Sequence, residues 1–144
     1  MKPPHPEMVR RVAATQATVA RFQGLTFRWG QEDCARMVVF HLRQMGRPIA
    51  MAKAGSYSNA LGAARAMRRF GVVSLIEALD KHGLEQIPPA AAVAGDIVAM
   101  PSADSFDALA IALGNGRVLG YHDDADGAAV LQPVQFITAW RVVA

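Results

Sequence analysis

Apolar residues recur at three- and four-residue steps through the first half of the chain and at closer spacing beyond Pro88, which divides the sequence into a helical part and a strand part. From 7 to 22, Met8, Val12, Thr15, Val19 and Phe22 fall on one helical stripe with Arg10, Arg11 and Arg21 between them, and Gly24 supplies the stop. Asp33 is placed to cap a second helix whose inner positions are Met37, Val38, His41 and Leu42, with Gly46 and Pro48 as terminators. A third helix is predicted over 58–70, capped by Ser56 or Ser58, with Leu61, Ala64, Met67 and Phe70 as its buried stripe and Gly71 as its end. A fourth runs from Ser74 to about His82 and closes at Gly83.

Strands are predicted at 96–100, 108–113, 118–122, 129–131 and 138–143, bounded by Pro101, the Gly114-Asn115-Gly116 turn and Asp126-Gly127. Asn-Gly and Asp-Gly favour the positive φ values of tight hairpins. Helices followed by an antiparallel β-meander define an α+β fold, with the helices packed on one face of the sheet. The 144 residues, 52% of them hydrophobic, fit one domain over 7–144, preceded by an extended arm over 1–6 in which Pro3, Pro4 and Pro6 oppose a helix.

Composition narrows the function classes. No apolar run approaches the roughly 20 residues of a bilayer span, and the start lacks the apolar core of a secretory signal, so no membrane insertion and no signal peptide are expected. A single cysteine, Cys34, forms no internal disulfide, and with four scattered histidines it gives no zinc spacing. Asp123, Asp124 and Asp126 before Gly127 hint at a calcium loop, but the remaining oxygen ligands and the terminal Glu are missing, so neither metal nor cofactor is expected. Charge is uneven. Residues 1–69 carry twelve Lys and Arg against Glu7, Glu32 and Asp33, a net +9, whereas 70–144 carry Lys81, Arg117 and Arg141 against nine acids, a net −6. Such a split orients a protein on a charged partner and does not set its fold.

The candidate chemistry lies in Phe27-Arg28-Trp29-Gly30-Gln31-Glu32-Asp33-Cys34. A thiol in the first turn of a helix sits at the positive end of the macrodipole, which favours the nucleophilic thiolate. The plain alternative is a small core residue on an amphipathic helix. Trp-Gly-x-x-Asp-Cys before a helix, then Gly95-Asp96-Ile97-Val98, then a strand ending Leu113-Gly114-Asn115-Gly116, resembles the NlpC-type cell-wall peptidases of the papain-like superfamily. A small branch encoded in tailed phages and prophages is more similar still. It shares Trp29-Gly30, Asp33-Cys34, a middle segment like Gly55-Ser56-Tyr57 through Ala63 and Ala64, Gly95-Asp96, and a terminal Ala139-Trp140-Arg141-Val142. The resemblance spans roughly residues 20–144.

That resemblance implies a papain-like fold in which the cysteine helix packs on a sheet carrying a catalytic histidine. In the active peptidases this histidine opens the strand that ends in Leu-Gly-Asn-Gly, and the matching position here is Ala108. Many active members also have a tyrosine where this chain has Phe27. Without an imidazole, Cys34 has no general base. If Asn115-Gly116 is a plain two-residue turn, Ala108 pairs with Asp123 and Leu109 with His122, so His122 faces away from Ala108; a one-residue change of loop length reverses that parity. His41 lies two turns along the cysteine helix, roughly 10 Å away by helix rise, and reads as a packed helical histidine. His5 and His82 fall in the arm and at a helix end.

The expectation from the resemblance is therefore a structural or adaptor component of a bacteriophage tail tip or baseplate, located in the virion tail and contacting tail-hub or tail-tip proteins, with Cys34 as a vestigial nucleophile. An active cysteine peptidase or amidase on peptidoglycan, using Cys34, is the first alternative. A nucleic-acid-binding module using Arg65, Arg68 and Arg69 with Arg10, Arg11, Arg36 and Arg43 is the second, disfavoured because no aromatic platform or reading motif accompanies the arginines.

Overall fold

The computed structural model describes residues 6–49, 57–101, 108–121 and 127–143. Within them, helices α1 (Pro6–Phe22), α2 (Cys34–Gln44), α3 (Ala60–Phe70) and α4 (Leu75–Lys81) precede strands β1 (Glu85–Ile87), β2 (Ile97–Met100), β3 (Ala108–Gly114), β4 (Arg117–Gly120), β5 (Ala129–Leu131) and β6 (Thr138–Arg141). The fold is α+β, and every strand pairing is antiparallel.

Local signals fix most boundaries. Asp33, Asn59 and Ser74 sit at N-caps with extended backbone, and each side chain accepts a hydrogen bond from the amide three residues on. Gly71 closes α3 in the left-handed conformation at φ 92°. The cap of α3 is thus Asn59 and not Ser58; Ser56 lies outside the described residues, as do 1–5 of the expected arm. Pro6 belongs to α1, at a helix start where its missing N–H leaves no bond unmade.

Two of the expected helix faces are right only in part: Thr15 and Phe22 of the α1 stripe are buried and Val19 packs on the core, and Ala64, Met67 and Phe70 of α3 are half-buried. On α1 the buried residues are Arg11, Ala14, Thr15, Thr18 and Phe22, whereas Met8 and Val12 are 48% and 45% exposed. On α3 the buried residues are Ala63 and Ala66, and Leu61 is 62% exposed. On α1 the inward Arg11 and Thr18 meet polar partners, Asp96 and His41, which periodicity cannot register.

The sheet order is β1-β6-β2-β3-β4-β5. Strands β2 to β5 form the expected meander, but β6 crosses back to lie between β2 and β1, so the sheet is not a simple meander. Alternation splits its side chains between two layers. Ile97, Ala99, Leu109, Ile111, Leu119 and Trp140 meet Phe22, Met37, Val38 and Leu42 of the helices. Val98, Met100, Ala110, Ala112, Val118 and Ala139 form a second buried cluster with Phe136 and Leu131 packed against it. Burial on both faces accounts for the unbroken apolar runs that mark these strands in the sequence.

The β3–β4 hairpin corrects the expected register. Asn115 and Gly116 have positive φ, 56° and 74°, as the tight turn requires. Gly114 pairs with Arg117, but a bulge between Ala112 and Gly114 then shifts the ladder, so Ala112 pairs with Val118 and Ile111 with Leu119. The mirror count beyond the turn moves by one residue, and the parity that set His122 away from Ala108 no longer holds. His122, Asp123, Asp124 and Asp126 lie outside the described residues.

Candidate functional site

Cys34 is the first residue of α2 and is half-buried, as the motif leads one to expect. A tight loop delivers it there: the amides of Gln31 and Glu32 donate to the carbonyl of Arg28, and Arg28 N donates back to Glu32 O at 2.8 Å. Gly30 sits in that loop at φ 78°, where a Cβ would run into the carbonyl oxygen of Tyr57, so no other residue fits without displacement. The Trp29-Gly30-x-x-Asp33-Cys34 spacing is thus the spacing of a loop that closes on its own cap.

Asp33 holds the loop, the helix and a remote tyrosine together. Its Oδ1 accepts from Arg36 N at 2.7 Å, and its Oδ2 accepts from Gly30 N and from the Tyr57 hydroxyl, both at 2.8 Å. The side chain is buried, so these donors replace the water it has lost. The Arg36 guanidinium lies over the Tyr57 ring, 5.4 Å from its centroid. Burial, followed by the Asp33 charge, pushes the Tyr57 hydroxyl above its ordinary range, so it stays protonated as a donor.

The second tyrosine closes the other side. Tyr121 packs edge-on to Phe27 at 5.4 Å between centroids, and Phe27 packs edge-on to Trp29 at 4.9 Å. Burial raises its hydroxyl pKa first, followed by the charges of Asp33, Glu32 and Cys34. Its buried oxygen has no hydrogen-bond partner, and the same holds for Glu32 Oε2 and Arg36 Nε. Among the described residues these are the buried side-chain polar atoms left unsatisfied, and all three belong to the neighbourhood of the Cys34 turn. The chain has only two tyrosines, and both converge here, a signal in the composition that attention to cysteine and histidine alone overlooks.

Of the histidines, the described His41 and His82 fall elsewhere, and His122 lies outside the described residues. His41 is fully buried on α2, with Nε2 2.8 Å from the Gly95 carbonyl oxygen and Nδ1 2.8 Å from Thr18 Oγ1. Since a carbonyl only accepts, Nε2 carries a proton and His41 is tied to the sheet and to α1. His82 is the C-cap residue of α4, and His5 lies outside the described residues. Ala108 opens β3, opposite Met100.

Gly95-Asp96, the second shared motif, is a structural node. Gly95 has φ 95°, and a Cβ there would lie 2.9 Å from Arg11 Cγ. Asp96 is fully buried and accepts four hydrogen bonds at 3.0 Å: Arg11 Nη1 and Val142 N on Oδ1, Arg141 Nε and Val93 N on Oδ2. Arg11 also donates to Ala94 O, Glu7 Oε1 and Val142 O.

Among the described residues no group of three or more His, Cys, Asp or Glu is arranged to hold a metal ion, and no helix is long and apolar enough to cross a membrane. Arg65, Arg68 and Arg69 are exposed on α3. A family model described as "Domain of unknown function (DUF6950)" matches residues 8–142. No curated protein matches the chain.

Proposed function

The chain belongs to the DUF6950 family, and from that premise we propose that it is an NlpC-type, papain-like domain serving as an adaptor in a bacteriophage tail tip, docked near the tail hub, and not as a peptidase. The observation that carries this reading is Ala108 at the opening of β3, the place where the resemblance puts the catalytic base. The cysteine stands on its helix end, the helix packs on the antiparallel sheet, and the base position holds a methyl group. His41 cannot stand in, because both its ring nitrogens are engaged with Thr18 and Gly95. The exposed arginines of α3 then meet an acidic surface of a tail protein.

Purified protein incubated with peptidoglycan or muropeptides is expected to release nothing above background, and Cys34→Ala is expected to behave identically. Turnover that disappears in Cys34→Ala overturns the adaptor reading. For the docking half, reversing Arg65, Arg68 and Arg69 to Glu should abolish tail assembly, while duplex DNA should show no micromolar binding at physiological salt; DNA binding with a steep salt dependence would instead favour the nucleic-acid module.

The register favours keeping the peptidase as a second reading. With Ile111 opposite Leu119, the strand count no longer turns His122 away from the base position. His122→Ala separates the two: it leaves an adaptor unaffected and abolishes any turnover of a peptidase.

A further inference from the structure

We infer that α1 is an acid-releasable strap: its seam with the rest of the molecule is polar and closes around a neutral His41, so that protonation of that imidazole detaches α1 while the α2–sheet core stays folded. The seam is unusual for a helix. Arg11, Thr15 and Thr18 occupy its inner face beside Ala14 and Phe22, and Met8, Val9 and Val12 point outward. Apolar contact is confined to Ala14, Val19 and Phe22, and toward the helix start hydrogen bonds from Arg11 to Ala94, Asp96 and Val142 take its place.

The proton inventory of the seam is closed. Thr18 has one hydroxyl hydrogen and two neighbours able to accept it, His41 Nδ1 at 2.8 Å and the Ala14 carbonyl at 3.0 Å. With neutral His41, Nε2–H donates to Gly95 O and the Thr18 hydroxyl donates to Nδ1. A second proton on the ring would turn the Thr18 hydroxyl toward Ala14, which geometry permits, so the obstacle to protonation is charge and burial. Arg11 faces His41 from α1, with Glu7 bound to its far side; Asp96 faces it from the entry to β2, with Arg141 of β6 bound to its other oxygen. Two cations and two anions leave this group neutral, and a proton on His41 adds an uncompensated positive charge.

Burial is the first cause that holds the His41 pKa below 6.5, and Arg11 adds to it against the Gly95 carbonyl and Asp96. The sign follows. A histidine whose folded pKa is depressed stabilises the closed seam fully above its unfolded pKa of about 6.5, and that stability drains away as pH falls below it. One linked proton raises the opening constant by up to about tenfold per pH unit. The element that opens is α1, because His41 stays on a helix anchored through Met37, Val38, Leu42 and Met45, and separation from Arg11 and Thr18 is what admits water to the ring.

Hydrogen exchange of the full chain, read by mass spectrometry as protection factors at pH 7.5 and 5.0, tests this. Peptides from α1 should lose at least tenfold in protection at pH 5.0 while β2, β3 and β6 keep theirs. Exchange of the imidazole C2 hydrogens in the same wild-type protein should show His41 gaining its proton over the range in which α1 opens. His41→Gln, which does not titrate, should leave α1 protection independent of pH. Unchanged α1 protection, loss of protection by helix and sheet together, or a His41 that titrates while α1 stays closed each overturns the proposal. If His41→Gln fails to fold, the two wild-type measurements decide it.

Discussion

Two buried aspartates, each beside a glycine in the left-handed region, organise different ends of this molecule. Asp96 is surrounded by the cations Arg11 and Arg141 together with two backbone amides, and binds α1, β2 and β6 into one node. Asp33 is held by neutral donors, two amides and the Tyr57 hydroxyl, and its neighbourhood keeps buried polar atoms on Tyr121, Glu32 and Arg36 without a hydrogen bond, Glu32 Oε2 having only a 3.8 Å ion pair with Arg28. A fully satisfied network rigidifies, and buried polar atoms left unsatisfied cost stability. The contrast separates a node that ties α1 to the sheet from one that closes the loop leading into Cys34.

The contrast can be broken in order of expected effect. Asp96→Ala should lower stability by about 3–5 kcal/mol in urea unfolding, because it leaves the buried Arg11 with only the half-buried Glu7 as counter-ion and strips the Val93 and Val142 amides of their acceptor. Gly95→Ala should lose about 1–3 kcal/mol, since the residue would be strained at φ 95° and Arg11 would have to move. Asp33→Ala should lose about 1–2 kcal/mol, the usual value of a cap, while changing the alkylation rate of Cys34 more than any Asp96 variant of comparable fold does. An Asp33→Ala loss as large as that of Asp96→Ala would erase the distinction. Tyr121→Phe should be neutral or stabilising by up to about 1 kcal/mol, as it removes a hydroxyl that satisfies nothing; a clear loss of stability would show that the hydroxyl has a structural partner.

What the sequence disclosed was local. The caps Asp33 and Ser74, the stop at Gly71, the Asn115-Gly116 turn and the strand at 129–131 are each specified by a few adjacent residues. Strand β1 escaped because Glu85 and Gln86 are exposed on an edge and show no alternation. The burial of Arg11 on α1 escaped for a different reason: its partner is 85 residues away, and nothing near Arg11 marks it for burial. Cys34 and its cap were legible from the motif, but Tyr57 and Tyr121 reach the same turn from distant segments. The bulge after Ala112 has no sequence mark of its own, and it alone reversed the strand parity.

The bond from Arg11 to the carbonyl of Val142 joins residues 131 apart, nearly the span of the chain. In chain order α2 is the first partner of α1, through Thr18 with His41 and Phe22 with Phe40, whereas the bonds of Arg11 to Asp96 and Val142 need segments far downstream. Loop closure over such a distance carries a large entropic penalty before any contact rewards it. Arg11 therefore finds its full set of acceptors only once β6 is in place, so the seam of α1 with the sheet closes later than its contact with α2.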